Sequence, residues 1–239
     1  MGASTAEQAR PLIDSGGRRF VVAIIAVAVA AFVTMALWLH GTRDPTAFDA
    51  NVRDWLNAHT GHLARDLLLG LSDPILTIGA AGIVALVALM RRRWDFLTLA
   101  VAGPTIALLL STYVLKPSIN RLYGDVELIS HGKLKAGYAF PSGHETGLAS
   151  VTVLLAVLLL GSNRAPVRVK AAGVAALTIW TLLGAAGLVR AGYHYATDTI
   201  GGFLLGLVLV LAVALVVDQV APRISSPGAR SPSRIPGGA

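Results

Sequence analysis

Long apolar runs alternate with short polar segments along the 239-residue chain. A helix needs about 17 to 25 mostly apolar residues to cross a bilayer, and six runs approach or reach that length. They are predicted at residues 20–39, 67–90 or 71–90, 96–115, 144–160, 171–189 and 199–217. Asp73-Pro74 is expected to disturb the outer turn of the second run, and Pro104 to kink the third. The pattern therefore predicts an all-α bundle of six transmembrane helices.

The segments around these runs complete the predicted layout. Residues 42–65 are polar with scattered apolar side chains, which is typical of a helix lying at the membrane interface. The first run is too long for the apolar part of a signal peptide and lacks a small-residue cleavage site, so a retained span is expected. Residues 1–19 and 221–239 are predicted to be cytoplasmic tails, with residues 1–17 and 221–239 disordered, flanking a membrane domain at 20–220.

Basic residues are concentrated on one side of the predicted bundle. Most of the 20 lysines and arginines fall in the two tails and in short loops at residues 91–93 and 164–170. We therefore expect a multi-pass protein of the plasma (inner) membrane with both termini in the cytoplasm. The net charge of +7 then reflects topology, and no nucleic-acid partner is expected. Because the chain has 0 cysteines, disulfides and thiolate metal sites are excluded.

The sequence Pro141-Ser142-Gly143-His144-Glu145 stands at the start of the fourth run. Ser142 followed by Glu145 has the form of a capping box, which makes Ser142 the expected N-cap. The first amide N–H groups of that helix then lack partners, and the helix dipole favours an anion there. Gly143 leaves the backbone open and His144 adds a titratable group, so the segment suits a phosphate. The alternative is a simple helix start with His144 at the headgroup level.

Ionisable side chains from three separate segments are predicted at one extracytoplasmic face. They are Lys116, Arg121, His144, Arg190, His194 and Asp198. Charged groups at membrane depth are costly and mark functional sites. His194 and Asp198 have helical i, i+4 spacing, so the carboxylate can hold Nδ1 of the imidazole and leave Nε2 as a nucleophile. The alternative is that Thr197 or Asp198 only caps the sixth helix.

These residues resemble the motifs of the type 2 phosphatidic acid phosphatase family, whose fold is shared with vanadium haloperoxidases. The second family motif stands as Pro141-Ser142-Gly143-His144, and the end of the third as His194-Tyr195-Ala196-Thr197-Asp198. The resemblance covers residues 96–217. It implies an acid phosphatase/vanadium haloperoxidase-like helical bundle around a phosphate site.

The resemblance also implies a metal-independent membrane phosphatase that needs no cofactor. His194 would attack phosphorus and form a phosphohistidine, Asp198 would support the imidazolium, and His144 would act as general acid and then as base. Phosphate oxygens would be held by Lys116, Arg121, Ser142, Gly143 and Arg190. The substrate would be a membrane lipid carrying a phosphate or diphosphate: a polyprenyl diphosphate or phosphate, phosphatidylglycerol phosphate or phosphatidic acid.

Two positions depart from the family pattern. The first-motif arginine usually follows the lysine by seven residues and precedes a proline, but Tyr123 and Gly124 stand there. The third-motif arginine usually precedes the histidine by six residues, but Leu188 stands there. Because Arg121 and Arg190 lie near these positions, we expect them to take over the phosphate contacts.

Two other functions remain open from the sequence. A phosphotransferase of the same fold would pass the phosphoryl group to an acceptor lipid or sugar instead of water. A non-catalytic lipid-binding or transport protein would explain the displaced arginines. A vanadium haloperoxidase is disfavoured because those relatives are soluble, and the oligomeric state is left open.

Overall fold

The structure, a computed structural model, describes residues 11–123 and 137–224. These residues form nine α-helices and one π-helical segment. The helices are α1 (Arg18–Leu39), α2 (Ala47–His59), α3 (His62–Gly70), α4 (Pro74–Met90), α5 (Trp94–Leu109), α6 (Lys116–Ile119), α7 (Gly143–Gly161), α8 (Val167–Arg190) and α9 (Ala196–Ile224), with the π-helical segment at Leu110–Leu115. Six helical spans in this part of the chain are long and apolar enough to cross a membrane. The predicted all-α, six-span fold is confirmed.

The second span begins earlier than predicted. It covers His62–Met90 and consists of α3 and α4. The break falls at the predicted position, because the Asp73 carboxylate accepts a hydrogen bond from the Ile75 N–H at 2.7 Å and caps α4, with Pro74 in its first turn. The apolar pattern missed α3 because that helix carries charged residues on one side.

The third span contains Pro104 within helix α5. Helix α5 continues through this buried proline, because neighbouring helices tolerate the missing hydrogen bond. The departure from α-helical geometry comes later, in the π-helical segment Leu110–Leu115, and the span ends with α6 at Ile119. Lys116, a candidate site residue, therefore begins a short helix directly after the π-helical segment.

Helices α7 and α9 form the centre of the bundle. In the apolar window of α7, 56% of the residues are buried, whereas the window of α1 is 11% buried and faces lipid. Helix α9 packs against α7, α5 and α1. Gly206 permits this packing, because a Cβ there would lie 2.9 Å from the Ala149 Cβ and the Ser150 nitrogen. The two central helices therefore run close together, and their N-terminal ends meet.

The segment before α1 is packed, which differs from the predicted tail. Leu12 and Ile13 are 5% and 8% exposed, and their N–H groups donate to the Asp218 carboxylate at 2.6 and 2.9 Å. The sequence suggested a tail because this segment is short and mostly polar, but a carboxylate on α9 satisfies its backbone. Residues 1–10 and the predicted tail at 225–239 lie outside the described residues.

Candidate active site

The start of α7 presents unpaired backbone donors. Ser142 is the N-cap, and its hydroxyl accepts from the Glu145 N–H at 3.3 Å. No described residue accepts a hydrogen bond from the N–H groups of Gly143 and His144. A Cβ added at Gly143 would meet nothing within 4 Å, so the space beside these amides is open. The predicted helix start is confirmed, and it can receive an anion.

Two imidazoles face each other beside this helix start. The ring centroids of His144 and His194 lie 6.1 Å apart at an interplanar angle of 64°. His144 is half-buried in the first turn of α7, and His194 is buried just before α9. The structure thus brings together two histidines that are 50 positions apart in the sequence. A phosphorus atom placed between them would be within reach of both rings.

Asp198 contacts His194 and also caps α9. Its Oδ2 lies 3.6 Å from His194 Nδ1 and accepts from the Tyr195 N–H at 3.0 Å. The carbonyl of Asp198 accepts from the Ser142 N–H at 3.0 Å, which links the starts of α7 and α9. The two interpretations of Asp198, as helix cap and as partner of the imidazole, therefore describe the same side chain. Holding α9 in place also holds the carboxylate beside His194.

Lys116 brings a positive charge to the same cluster. Its ammonium donates to the Tyr138 carbonyl at 3.1 Å, which ties α6 to the segment that leads into α7. Burial lowers the pKa of the His194 imidazole, Asp198 opposes this shift, and Lys116 adds to it. His194 is therefore held neutral at neutral pH, as a nucleophile must be.

A comparison with known protein families supports the assignment of these motifs. A family model described as the PAP2 superfamily matches residues 76–221, more than half of the chain. The chain belongs to the PAP2 superfamily. It is a multi-pass membrane phosphatase of the type 2 phosphatidic acid phosphatase family, as the resemblance implied.

The chain resembles a curated protein and a solved structure from Bacillus subtilis. Phosphatidylglycerophosphatase B of strain 168 is 33% identical over 171 residues, which cover 66% of this chain and 74% of that protein. The crystal structure of the first transmembrane PAP2 type phosphatidylglycerolphosphate phosphatase from Bacillus subtilis has a TM-score of 0.64 at 20% identity. The match covers 84% of this chain and 96% of that chain, so the fold is shared along nearly the whole neighbour.

Arg121 does not lie open to a phosphate, in contrast to the expectation for this PAP2 chain. Its guanidinium is 0% exposed and donates to Asp198 Oδ1 at 2.6 Å and to Asp49 Oδ2 at 3.0 Å. It also donates to the Thr197 hydroxyl at 2.6 Å. Two carboxylates hold this cation, because burying it unpaired would cost far more.

Arg190 also has partners within the protein. Its Nε donates to the Thr60 hydroxyl at 2.9 Å, and a terminal nitrogen donates to the Thr60 carbonyl at 3.3 Å. Thr60 lies between α2 and α3, so Arg190 ties the end of α8 to the connection between these two helices. Neither of the two arginines that we expected to take over the phosphate contacts is free in the structure. Lys116 and the N–H groups at the start of α7 remain to bind an anion.

Tyr123 lies at the site although sequence reasoning gave it no role. Its hydroxyl is 3.2 Å from His194 Nδ1 and 3.3 Å from Nε2. Burial raises the pKa of this hydroxyl, and Asp198 and Tyr195 raise it further, so it stays protonated at neutral pH. The only signal in the sequence was its position, where PAP2 proteins usually carry the first-motif arginine.

Asp49 is the second residue that sequence reasoning missed. Burial opposes ionisation of this carboxyl, but hydrogen bonds from Thr197, Thr46 and Arg121 outweigh it and lower the pKa of Asp49. It comes from α2, the helix predicted at the membrane interface, and nothing in the local sequence distinguishes it from other acidic residues there. Its role depends on tertiary contact alone.

Glu145 does not complete the predicted capping box. Its two carboxyl oxygens are buried and have no hydrogen-bond partner among the described residues. The Ser142 N–H that a capping box would offer to Glu145 donates instead to the Asp198 carbonyl.

Within the described residues, no group of three His, Cys, Asp or Glu is arranged to hold a metal ion.

Proposed function

We propose that this protein hydrolyses a membrane lipid phosphate or diphosphate at the extracytoplasmic face, through a phosphohistidine on His194. The observation that carries the proposal is the pair of imidazoles, 6.1 Å apart, at the open start of α7. One neutral nucleophile, one proton donor and a set of N–H groups are what phosphoryl transfer needs. No metal ion takes part in the proposed steps.

In the first step, the Nε2 lone pair of His194 forms a bond to phosphorus while the bond from phosphorus to the lipid oxygen breaks. His144, protonated, gives its proton to that leaving oxygen. Asp198 stabilises the positive charge that develops on the His194 ring. Lys116 and the N–H groups of Gly143 and His144 bind the equatorial oxygens, where charge accumulates in the transition state.

In the second step, His144 acts in the opposite direction. The now neutral imidazole takes a proton from a water molecule, whose oxygen forms a bond to phosphorus. The bond between phosphorus and His194 breaks, and inorganic phosphate leaves the site. Both histidines return to their starting protonation states, so the cycle consumes only water and substrate.

A lipid substrate is supported by an apolar groove beside the site. The groove has a volume of about 240 Å³ and lies among α4, α5 and α7. Its lining includes Thr77, Ala81, Pro104, Leu108, Gly147 and Val151. Gly147 lies one turn of α7 from His144, so an acyl chain in this groove would place its headgroup at the histidines.

Among lipid phosphates, we propose phosphatidylglycerol phosphate as the substrate. The support is the similarity to phosphatidylglycerophosphatase B, at 33% identity over most of both chains.

The basic loops on the opposite side of the bundle support an extracytoplasmic site, and both termini in the cytoplasm of a plasma (inner) membrane protein.

The test is phosphate release by the purified protein from a panel of lipid phosphates in the presence of EDTA. We expect release from phosphatidylglycerol phosphate, and a loss of at least about 10³-fold in kcat for His194→Ala or His144→Ala. His62→Ala is the matched control, because His62 is an exposed histidine at the start of α3. Lipid retention without phosphate release would instead indicate a binding protein, and full activity of either variant would eliminate this mechanism.

A further inference from the structure

One carboxylate of the interfacial helix α2 is buried at the start of α9. Asp49 is 1% exposed, whereas the side chain of Asp54, on the same helix, is 72% exposed. Asp49 Oδ1 accepts from the Thr197 N–H at 2.8 Å, and Oδ2 accepts from Arg121 at 3.0 Å. A carboxylate that only anchored an amphipathic helix would not need to leave water.

The contacts of Asp49 lead to the nucleophile in two further steps. Arg121 donates from one terminal nitrogen to Asp49 and from the other to Asp198 Oδ1. The second oxygen of Asp198 lies 3.6 Å from His194 Nδ1. The Thr197 hydroxyl accepts from Arg121 at 2.6 Å and lies 2.9 Å from Asp49 Oδ1, which fixes the geometry between these groups.

Asp49 determines the net charge of this cluster. Arg121 and Asp198 alone would form a neutral pair, because the guanidinium lies 2.6 Å from the carboxylate. A neutral pair gives little support to a positive charge on a neighbouring imidazole. With Asp49 bonded to the other side of Arg121, the three buried groups carry one net negative charge.

We propose that Asp49 is a positioning residue for the reaction at His194. It orients Arg121 and the first turn of α9. It also supplies the negative charge that allows Asp198 to stabilise a positive charge on the His194 imidazole. The inference rests on the proposed role of His194 as the nucleophile. It assigns to α2 a part in the active site, in addition to its place at the membrane interface.

Removing the charge of Asp49 has a defined effect on the titration of His194. The groups that face this ring are His144 on α7, Asp198 on α9, Lys116 on α6 and the Tyr123 hydroxyl. Loss of a negative charge behind Asp198 disfavours the imidazolium, so the pKa of His194 falls. Because the nucleophile must be neutral, the acidic limb of the kcat/KM profile moves to lower pH. The same loss raises the barrier, since the imidazolium develops during attack.

The experiment compares Asp49→Asn with Asp54→Asn, which makes the same charge change on the exposed side of α2. For Asp49→Asn we expect kcat to fall on the order of 10- to 100-fold, with KM changed by less than about threefold. We expect the acidic limb to move down by about half a pH unit or more. Asp54→Asn should change neither quantity, and identical behaviour of the two variants would overturn the inference.

A third variant separates the charge from the helix cap. Asp49 also accepts from the N–H of Thr46 at 3.0 Å and forms a capping box at the start of α2. Thr46→Ala weakens that cap but leaves the carboxylate in place. We expect Thr46→Ala to leave the acidic limb unchanged. A fall in kcat for Asp49→Asn without a shift of the limb, matching Thr46→Ala, would mean that Asp49 acts only as a cap.

A titration that does not depend on turnover distinguishes this inference from the proposed function. The pKa of His194 is measured by NMR in histidine-labelled protein, with His194→Ala for assignment. We expect a lower pKa of His194 in Asp49→Asn than in wild type and in Asp54→Asn. An unchanged value overturns the role of Asp49 even if wild type is active. A lowered value in a protein that releases no phosphate supports the role of Asp49 and overturns the proposed function.

Discussion

At the scale of single residues, Tyr123 shows what a departure from a family pattern can mean. The sequence placed a tyrosine where the first-motif arginine usually stands, and the expected replacement was Arg121. In the structure, Arg121 is held by Asp49 and Asp198, and the Tyr123 hydroxyl contacts His194. A protonated hydroxyl at this place can donate to a phosphate oxygen when a substrate displaces it from the imidazole.

Replacing Tyr123 with phenylalanine tests that role. The variant keeps the ring but removes one donor to a charged group, so we expect kcat/KM to fall by about 10-fold. Tyr113→Phe is the matched control, because Tyr113 is 73% exposed on the third span. The measurement is phosphate release under subsaturating substrate. Equal kcat/KM for Tyr123→Phe and wild type would show that the hydroxyl contributes nothing to turnover.

The residues predicted from sequence and those missed differ in how their roles arise. His144, His194 and Asp198 were predicted because each stands in a short local motif at a helix start, and the same motifs carry the family resemblance. Asp49 and Tyr123 were missed because only packing between distant segments brings them to the site. Arg121 was given a direct phosphate contact because its sequence neighbours do not reveal the buried carboxylate of α2.

At the scale of elements, the site is made from helix ends. The start of α7, the start of α9 and the end of the third span each contribute residues to the site. Apolar runs of membrane-spanning length predicted six spans, because the bilayer fixes that length. The pattern could not reveal the π-helical segment or the extension of the second span to His62, since these depend on contacts between helices.

The proposed topology can be tested on these elements because the chain has 0 cysteines. Asp44→Cys lies in the exposed loop between α1 and α2, and Asn163→Cys in the exposed loop between α7 and α8. In intact cells, we expect a membrane-impermeant maleimide to label Asp44→Cys only. After the membrane is permeabilised, both variants should be labelled. Labelling of Asn163→Cys alone in intact cells would place the two histidines at the cytoplasmic face.

At the scale of the whole molecule, the bundle has a buried centre and a lipid-facing periphery. Helices α7 and α9 are the most enclosed, and their close packing joins Ser142 to Asp198 at their N-terminal ends. The groove among α4, α5 and α7 opens beside the same end. This arrangement explains how a polar site with two carboxylates and an arginine is stable at the edge of an apolar bundle, because both carboxylates lie against the Arg121 guanidinium.

The most direct test of the mechanism is to trap the phosphoryl group on the protein. Purified enzyme is mixed with lipid substrate labelled in its terminal phosphate and quenched in alkali within one turnover. We expect one alkali-stable, acid-labile label on His194, formed and lost as fast as phosphate is released, and absent from His194→Ala. Turnover with no label on His194, or a label that persists in His194→Ala, would contradict the account.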